Sequence, residues 1–304
     1  MMKVIIIGNG PAGISAALYT VRAGIQTTVI GNGPGSLGKA DKIENFYGFE
    51  YPISGSSLIE RGIAQAKRIG AQIIKEEVVG ISTLESNSET SKVSHTFSVK
   101  TDKNEYLADA VILATGVSRN SPPIKGLKEL EGQGVSYCAV CDAFFYKGKD
   151  VGILGSGEYA LNEAKELLPV AKSVTLLTNG SEPSVSFPKD IKIHKNAIDS
   201  LDPGPSNPLL GGTGPLESVT FNHSDKIKLD GIFVAYGTAG STALAKKVGA
   251  FTEGNKILVD SDMSTNVPGL YAAGDCTGGL LQIAKAVSDG AIAGTSAIKY
   301  LRQA

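Results

Sequence analysis

The segment Cys138-Ala-Val-Cys141-Asp142 carries the residue types and spacing that most directly suggest a reaction. Two thiols three residues apart at the head of a short helix can close a disulfide and lower one another's pKa, which dithiol exchange needs. Asp142, next in sequence, is a candidate to hand a proton to a departing thiolate. Zinc is a competing use of such a pair, but a structural zinc wants a second pair of ligands. Cys276 stands alone, and His95, His194 and His223 have no ligand spacing. A pair of inert buried thiols is the other alternative, since small apolar surroundings welcome cysteine. Redox use is the favoured reading.

Thiols that cycle must be supplied with electrons, and the glycines point to nucleotide binding. The run Val4-Ile-Ile-Ile-Gly8-Asn-Gly10-Pro11-Ala12-Gly13 recurs as Val151-Gly-Ile-Leu-Gly155-Ser-Gly157-Glu-Tyr-Ala160, the three motif positions each displaced by the same 147 residues. Each copy reads as a strand, then G-x-G-x-x-G/A, then a helix (Ile14 to Ala23; Leu161 to Leu168), then a second strand (Thr27 to Ile30; Ser173 to Leu177). This is the βαβ dinucleotide-binding pattern twice over. The first glycine makes the tight turn, the second lets a phosphate reach the backbone, and the third lets helix lie on strand. The pyrophosphate then meets the N–H groups of a helix N-terminus.

The elements around these motifs suggest an interrupted domain. Asp109 to Gly116 reads as a buried strand ending in Ala114-Thr115-Gly116, and Asp230 to Gly237 repeats that phrase. Ser121-Pro122-Pro123 looks like a crossover, and Val267 to Asp275 is a strand ending in Gly274-Asp275. A helix is expected from about Gln282 to Leu301, a surface loop over Asp202 to Pro215, and a polar loop over Glu85 to Lys92. The expected fold class is α/β with two Rossmann-like domains, the second inserted into the first: residues 1–113 with 238–304, and 114–237 between them. A length of 304 residues fits two domains at roughly 150 residues each.

Composition removes several function classes. Lys+Arg 29 against Asp+Glu 30 leaves a net charge of -1, so there is no cationic excess to neutralise phosphates and no nucleic-acid partner is expected. A polybasic membrane anchor is equally unsupported. The apolar run Val4 to Ile7 breaks at Gly8, too soon for a signal-peptide core, and no stretch approaches a membrane span. Three cysteines cannot frame a secreted disulfide scaffold. A cytoplasmic protein is expected.

In this order, Gly8 to Gly13, Ile43-Glu-Asn45-Phe-Tyr-Gly48, Ala114 to Gly116, Cys138 to Asp142, Gly155 to Ala160, and Ala273-Gly274-Asp275 with Gln282 closely resemble the low-molecular-weight thioredoxin reductases, over nearly the whole chain. The resemblance implies an FAD-dependent disulfide oxidoreductase, a homodimer, that reduces thioredoxin or a similar dithiol protein. It implies that Cys138 attacks the substrate disulfide, Cys141 faces the flavin, and Asp142 gives the proton. The implied FAD contacts are Gly8, Gly10, Pro11, Ala12, Gly13, Asn45, Ala114, Thr115, Gly116, Gly274, Asp275, Gln282 and Ile283. Asp275 would accept a ribityl hydroxyl, and the helix beginning near Gln282 would aim N–H groups at the flavin pyrimidine. The plainer readings are a capping aspartate for Asp275, a turn residue for Asn45, and a structural thiol for Cys276.

Two departures matter. Gly31-Asn32 stands where an acidic residue commonly binds the adenosine ribose, and Thr178-Asn-Gly-Ser-Glu-Pro183 lacks the arginines that grip the 2′-phosphate of NADPH. The nearest cations in sequence are Lys172 and Lys189. Reduced ferredoxin is therefore the expected donor, in the manner of thioredoxin-reductase-like enzymes lacking the arginine cluster. NADPH gripped by another basic group and a reduced deazaflavin are the alternatives. A non-catalytic flavin redox sensor or binding module is the alternative from another class.

Overall fold

The computed structural model describes residues 2–85, 95–116, 122–206, 214–222, 225–237 and 239–303, apart from the side chains of residues 85, 95, 140 and 141. The chain divides into two compact units, Met1–Ser118 with Gly240–Ala304, and Arg119–Ala239. Most of the loop expected over residues 85–92, and Ser121 of the expected crossover, lie outside the described residues.

The first unit opens with β1 (Lys3–Ile7), α1 (Pro11–Arg22), β2 (Gln26–Ile30), α2 (Gly55–Arg68) and β3 (Gln72–Ile74). An antiparallel meander follows, β4 (Val78–Glu85), β5 (His95–Thr101) and β6 (Glu105–Ala108), and then β7 (Ala110–Leu113). The second unit contains β8 (Val135–Ser136), α3 (Ala139–Asp142), β9 (Asp150–Leu154), α4 (Glu158–Leu167), β10 (Ser173–Leu177), β11 (Lys192–His194), β12 (Ile198–Pro203), β13 (Leu216–Phe221), β14 (Lys226–Lys228) and β15 (Gly231–Val234). The return to the first unit supplies α5 (Ser241–Lys247), β16 (Thr252–Glu253), β17 (Lys256–Ile257), β18 (Leu270–Ala272) and α6 (Ile283–Gln303).

The first unit's main sheet is parallel, in the order β18-β7-β1-β2-β3. Its strands are near-continuous apolar runs; Val4 to Ile7 and Ala110 to Leu113 are all buried, as a sheet covered on both faces requires. The second unit repeats the plan as β11-β10-β9-β15-β8, again parallel. In both units the glycine-bearing strand is central and the strand order reverses beside it, the point at which open α/β sheets bind ligands. Asp202 and Pro203, assigned to a loop from sequence, belong to β12 and pair with β13. The reason is local: the Asp202 carboxylate accepts bonds from Thr220 Oγ1 and Lys226 Nζ on the neighbouring strands. Among the described residues no helix is long and apolar enough to cross a membrane.

In the first unit, α6 lies against α1 through small residues. A Cβ added at Gly290 would stand 2.1 Å from the Ala12 carbonyl oxygen, and one at Gly294 2.9 Å from that of Ala16. Gly290→Ala must therefore part the two helices. Overpacking of this kind typically costs about 1–3 kcal/mol. Because Ala12 stands in the glycine-rich turn, the variant is expected to melt lower and to lose flavin more readily on gel filtration. Unchanged melting and flavin content would show that the helix pair yields without cost.

Candidate active site

The turn after β1 is shaped by contacts that exclude side chains. Gly8 adopts φ +116°, and a Cβ there would lie 2.2 Å from the Ala114 carbonyl oxygen at the end of β7. A Cβ at Gly13 would lie 1.9 Å from the Gly8 carbonyl oxygen, so the third glycine does let helix lie on turn. A Cβ at Gly10 would meet nothing within 4 Å. The backbone there faces open space.

Helix α1 begins without a side-chain cap, with Pro11 in its first turn, and its hydrogen-bond ladder starts at Ile14 N–H to Gly10 carbonyl. The N–H groups of Ala12 and Gly13 thus point off the helix end, where they and the dipole favour an anion. No acidic side chain stands in that first turn. These features fit the pyrophosphate of FAD.

The other sequence-derived contacts gather in the same unit. Asn45 Nδ2 donates to Gln282 Oε1 at 3.1 Å, so two residues 237 positions apart meet beside the start of α6. Asn45 is therefore more than a turn residue. The α6 ladder starts at Ala286 N–H to Gln282 carbonyl, which leaves the N–H groups of Ile283 and Ala284 pointing off that end. Asp275 begins a short 3₁₀ turn after Gly274 (φ +84°). At Thr115, Oγ1 accepts the Ser241 N–H at 2.9 Å, while the N–H donates to Ser241 Oγ at 3.2 Å. The Thr115 hydroxyl fastens the turn after β7 to α5.

Sequence reasoning missed the residues that hold the Gly274–Asp275 loop. Lys285 Nζ donates to the Gly274 carbonyl at 2.9 Å, to Thr277 Oγ1 at 2.7 Å and to the Gly278 carbonyl at 2.7 Å, and pairs with Asp289 Oδ2 at 2.7 Å. The buried Asp289 in turn accepts the Gly274 N–H at 3.0 Å. The one signal available was an i, i+4 pair of opposite charges within a helix. Cys276, a free thiol, is buried and directed at the carbonyls of Ala273 (3.3 Å) and Leu113 (3.5 Å). Burial pushes it up to about 11, the behaviour of a structural cysteine.

The dithiol segment belongs to the second unit. Cys138, 2% exposed, is disulfide-bonded and precedes α3; Cys141 lies within α3 and its side chain is outside the described residues. Asp142 closes α3, and its Oδ2 accepts the Ser136 hydroxyl at 2.6 Å. The same Ser136 oxygen accepts the Cys138 N–H at 3.1 Å. One buried hydroxyl thus ties the cysteine backbone to the carboxyl group. From α4, Glu163 Oε2 accepts the Ala139 N–H at 2.8 Å. Neither Ser136 nor Glu163 was singled out from sequence. Phe144 and Phe145, directly after the dithiol, are exposed.

The second glycine turn shares the backbone plan of the first but not its electrostatics. A Cβ at Gly155 would lie 2.3 Å from the Ala235 carbonyl oxygen, the counterpart of Gly8 and Ala114. Helix α4, however, carries Glu158 in its first turn. Ser184 N–H and Oγ both bond the Ser156 carbonyl, at 2.8 and 3.1 Å, so residue 184 lies over the turn. Of the cations named from sequence, Lys172 pairs with Asp150 at the far end of β10 and Lys189 is exposed. The cation that β11 brings to the 178–183 loop is Lys195, paired with Glu182 of that loop at 2.5 Å.

Residues 2–290 match the family described as pyridine nucleotide-disulphide oxidoreductase. A thioredoxin reductase of Aquifex aeolicus is 35% identical over 288 residues, 90% of this chain and 84% of that protein. The crystal structure of an atypical thioredoxin reductase from Desulfovibrio vulgaris Hildenborough superposes with a TM-score of 0.86 at 39% identity, covering 100% of this chain and 99% of that one. A ferredoxin-flavin thioredoxin reductase from Clostridium acetobutylicum gives 0.67 at 31% identity, covering 100% of both chains. With two Rossmann units, a disulfide-bonded Cys138 ahead of α3 and an uncapped glycine turn in the first unit, the chain belongs to the pyridine nucleotide-disulphide oxidoreductase family, among its FAD-binding thioredoxin reductases.

Proposed function

We propose that this oxidoreductase reduces thioredoxin, or a closely similar dithiol protein, through a Cys138/Cys141 disulfide, and that its electron donor is reduced ferredoxin rather than NADPH. The observation that carries the choice of donor is the second glycine turn: it is covered by residue 184, opens on the acidic Glu158, and the lysine that β11 brings to its 178–183 loop is paired with Glu182. A dinucleotide phosphate would meet uncapped N–H groups at the start of α4 as at the start of α1, but with Glu158 in that first turn and residue 184 over it. The name of the Clostridium structure gives the donor class a precedent at 31% identity.

FAD, held by the Gly8–Gly13 turn and the N–H groups of Ala12 and Gly13, would supply the two electrons that reduce the disulfide. Two electrons and two protons turn the 138/141 disulfide into two thiols. Cys138 gives its thiol proton to the Asp142 carboxylate and attacks a sulfur of the thioredoxin disulfide, forming a mixed disulfide and expelling a substrate thiolate, which takes that proton from Asp142. Cys141 then loses its proton and attacks the Cys138 sulfur, re-forming the 138/141 disulfide, and that proton passes to the second substrate thiolate. Ser136 keeps the carboxyl group of Asp142 tied to the Cys138 backbone throughout. The exposed Phe144 and Phe145 give a protein substrate an apolar surface beside the thiols. The working form is taken as a homodimer, which light scattering of the purified protein checks.

The test of donor is anaerobic: oxidised enzyme with thioredoxin is mixed with reduced ferredoxin, NADPH, NADH or reduced deazaflavin, and thioredoxin thiols are counted. Turnover with ferredoxin alone is the expected result; efficient turnover with NADPH overturns it. For proton delivery, Asp142→Asn is expected to slow turnover by about 10²- to 10⁴-fold with flavin content unchanged. A loss below tenfold would make Asp142 a helix-end residue only.

A further inference from the structure

We propose that Glu163 is a positioning residue for the redox pair: its buried carboxylate occupies the amide next to Cys138 and thereby keeps the Cys138 sulfur in the thiol form, which holds the pair strongly reducing. The inference rests on the dithiol reading above. Glu163 is 1% exposed, and among the described residues Asp289 is the only other buried acidic side chain. Asp289 is accounted for by Lys285 and the loop it holds. Glu163 reaches instead from α4 to the first residue of α3, the helix that carries the second half of the dithiol.

Glu163 brings a carboxylate, rather than a neutral acceptor, against the Ala139 N–H. Backbone N–H groups at the start of a helix are what stabilise cysteine thiolates. A disulfide whose reduced form gains a stabilised thiolate becomes a strong oxidant, and one without that gain stays reducing. A reductase must pass its electrons onward to another dithiol, so it needs the second condition. By accepting the Ala139 N–H at 2.8 Å, Glu163 withdraws the donor and adds negative charge one residue from the sulfur. Tyr159, also on α4, feels the same charge: burial pushes its hydroxyl far up, and Glu163 pushes it further.

The groups around Cys138 are Asp142 and Tyr137 on its own segment, Glu131, which accepts the Tyr137 hydroxyl, and Tyr159 and Glu163 on α4. All but Glu163 stay constant in Glu163→Gln, whose amide oxygen can still accept the Ala139 N–H. The experiment follows alkylation of reduced Cys138 against pH by a small reagent, in holoenzyme carrying Cys141→Ser, with the label assigned to Cys138 by peptide mapping because Cys276 is also buried. The midpoint is expected to fall by about one pH unit or more in Glu163→Gln.

In protein with both cysteines, the equilibrium constant for reducing the 138/141 pair with dithiothreitol at pH 9 is expected to rise in step with that fall, by up to about tenfold for each unit. An unmoved midpoint, or a rise, overturns the proposal and leaves Glu163 as a cap of α3. Should the variant not fold, the wild-type Cys138 midpoint decides: a value at or above about 8.5, the ordinary cysteine value, supports the proposal, and a lower one overturns it. A 138/141 disulfide that is not reduced during turnover would sink the dithiol reading itself, a different outcome from an unmoved midpoint.

Discussion

Serine at either Cys138 or Cys141 is expected to abolish reduction of a protein disulfide, by about 10³-fold or more, and the double variant should be no worse than either single one. Groups that act as a unit fail together, so their losses do not add. The two variants nevertheless fail differently. With Cys141→Ser, Cys138 still attacks the substrate but nothing resolves the adduct, so an intermolecular disulfide to thioredoxin accumulates and migrates as a larger species on a non-reducing gel. With Cys138→Ser, the attacking sulfur is gone and no such species forms. Dithionite supplies the electrons, so the result does not depend on donor. Trapping by Cys138→Ser alone would exchange the roles of the two thiols, and turnover surviving in either variant would remove the pair from the mechanism. Flavin content measures integrity in each case, because the thiols and the glycine turn that fits FAD stand in different units.

What the sequence made legible is whatever depends on chain-local geometry. Gly8 and Gly13 could be read because turn and helix contact demand the absence of a Cβ, and the structure shows backbone oxygens 2.2 and 1.9 Å from where it would be. The doubling of the fold was legible because strand, turn and helix recur in one register. Illegible were the polar residues whose partners are distant in sequence. Ser241 meets Thr115 across 126 residues, and Glu163 meets Ala139 across 24; neither sits in a spacing that means anything until the chain is folded. Lys195 was overlooked for the same reason: only the parallel pairing of β10 with β11 carries it to the 178–183 loop. Asn45 and Gln282 were each named alone, and their hydrogen bond is what the fold adds.

NADPH is expected to reduce this enzyme two to four decades less efficiently than ferredoxin does, and the deficit has identifiable parts. A 2′-phosphate is held by charge-assisted hydrogen bonds, each worth about 1.5–3 kcal/mol, and the loop from Thr178 to Pro183 contains no arginine or lysine to make them. Two lost bonds of this kind correspond to roughly two to four factors of ten in binding. Lys195 cannot supply the missing charge while Glu182 holds it at 2.5 Å, and the pair is exposed enough that separating it would cost about 1 kcal/mol or less. Glu182→Arg should therefore release Lys195, add a second cation and recover part of the affinity, about tenfold, for NADPH but not for NADH. Recovery should stop there. Glu158 still stands in the first turn of α4 and Ser184 still lies over the turn, and neither is changed by a cation at the loop. The measurement is anaerobic flavin bleaching against nucleotide concentration. Full, rapid bleaching of the wild-type enzyme by micromolar NADPH would refute the argument outright, and equal gains for NADPH and NADH in Glu182→Arg would show that the loop does not face a 2′-phosphate.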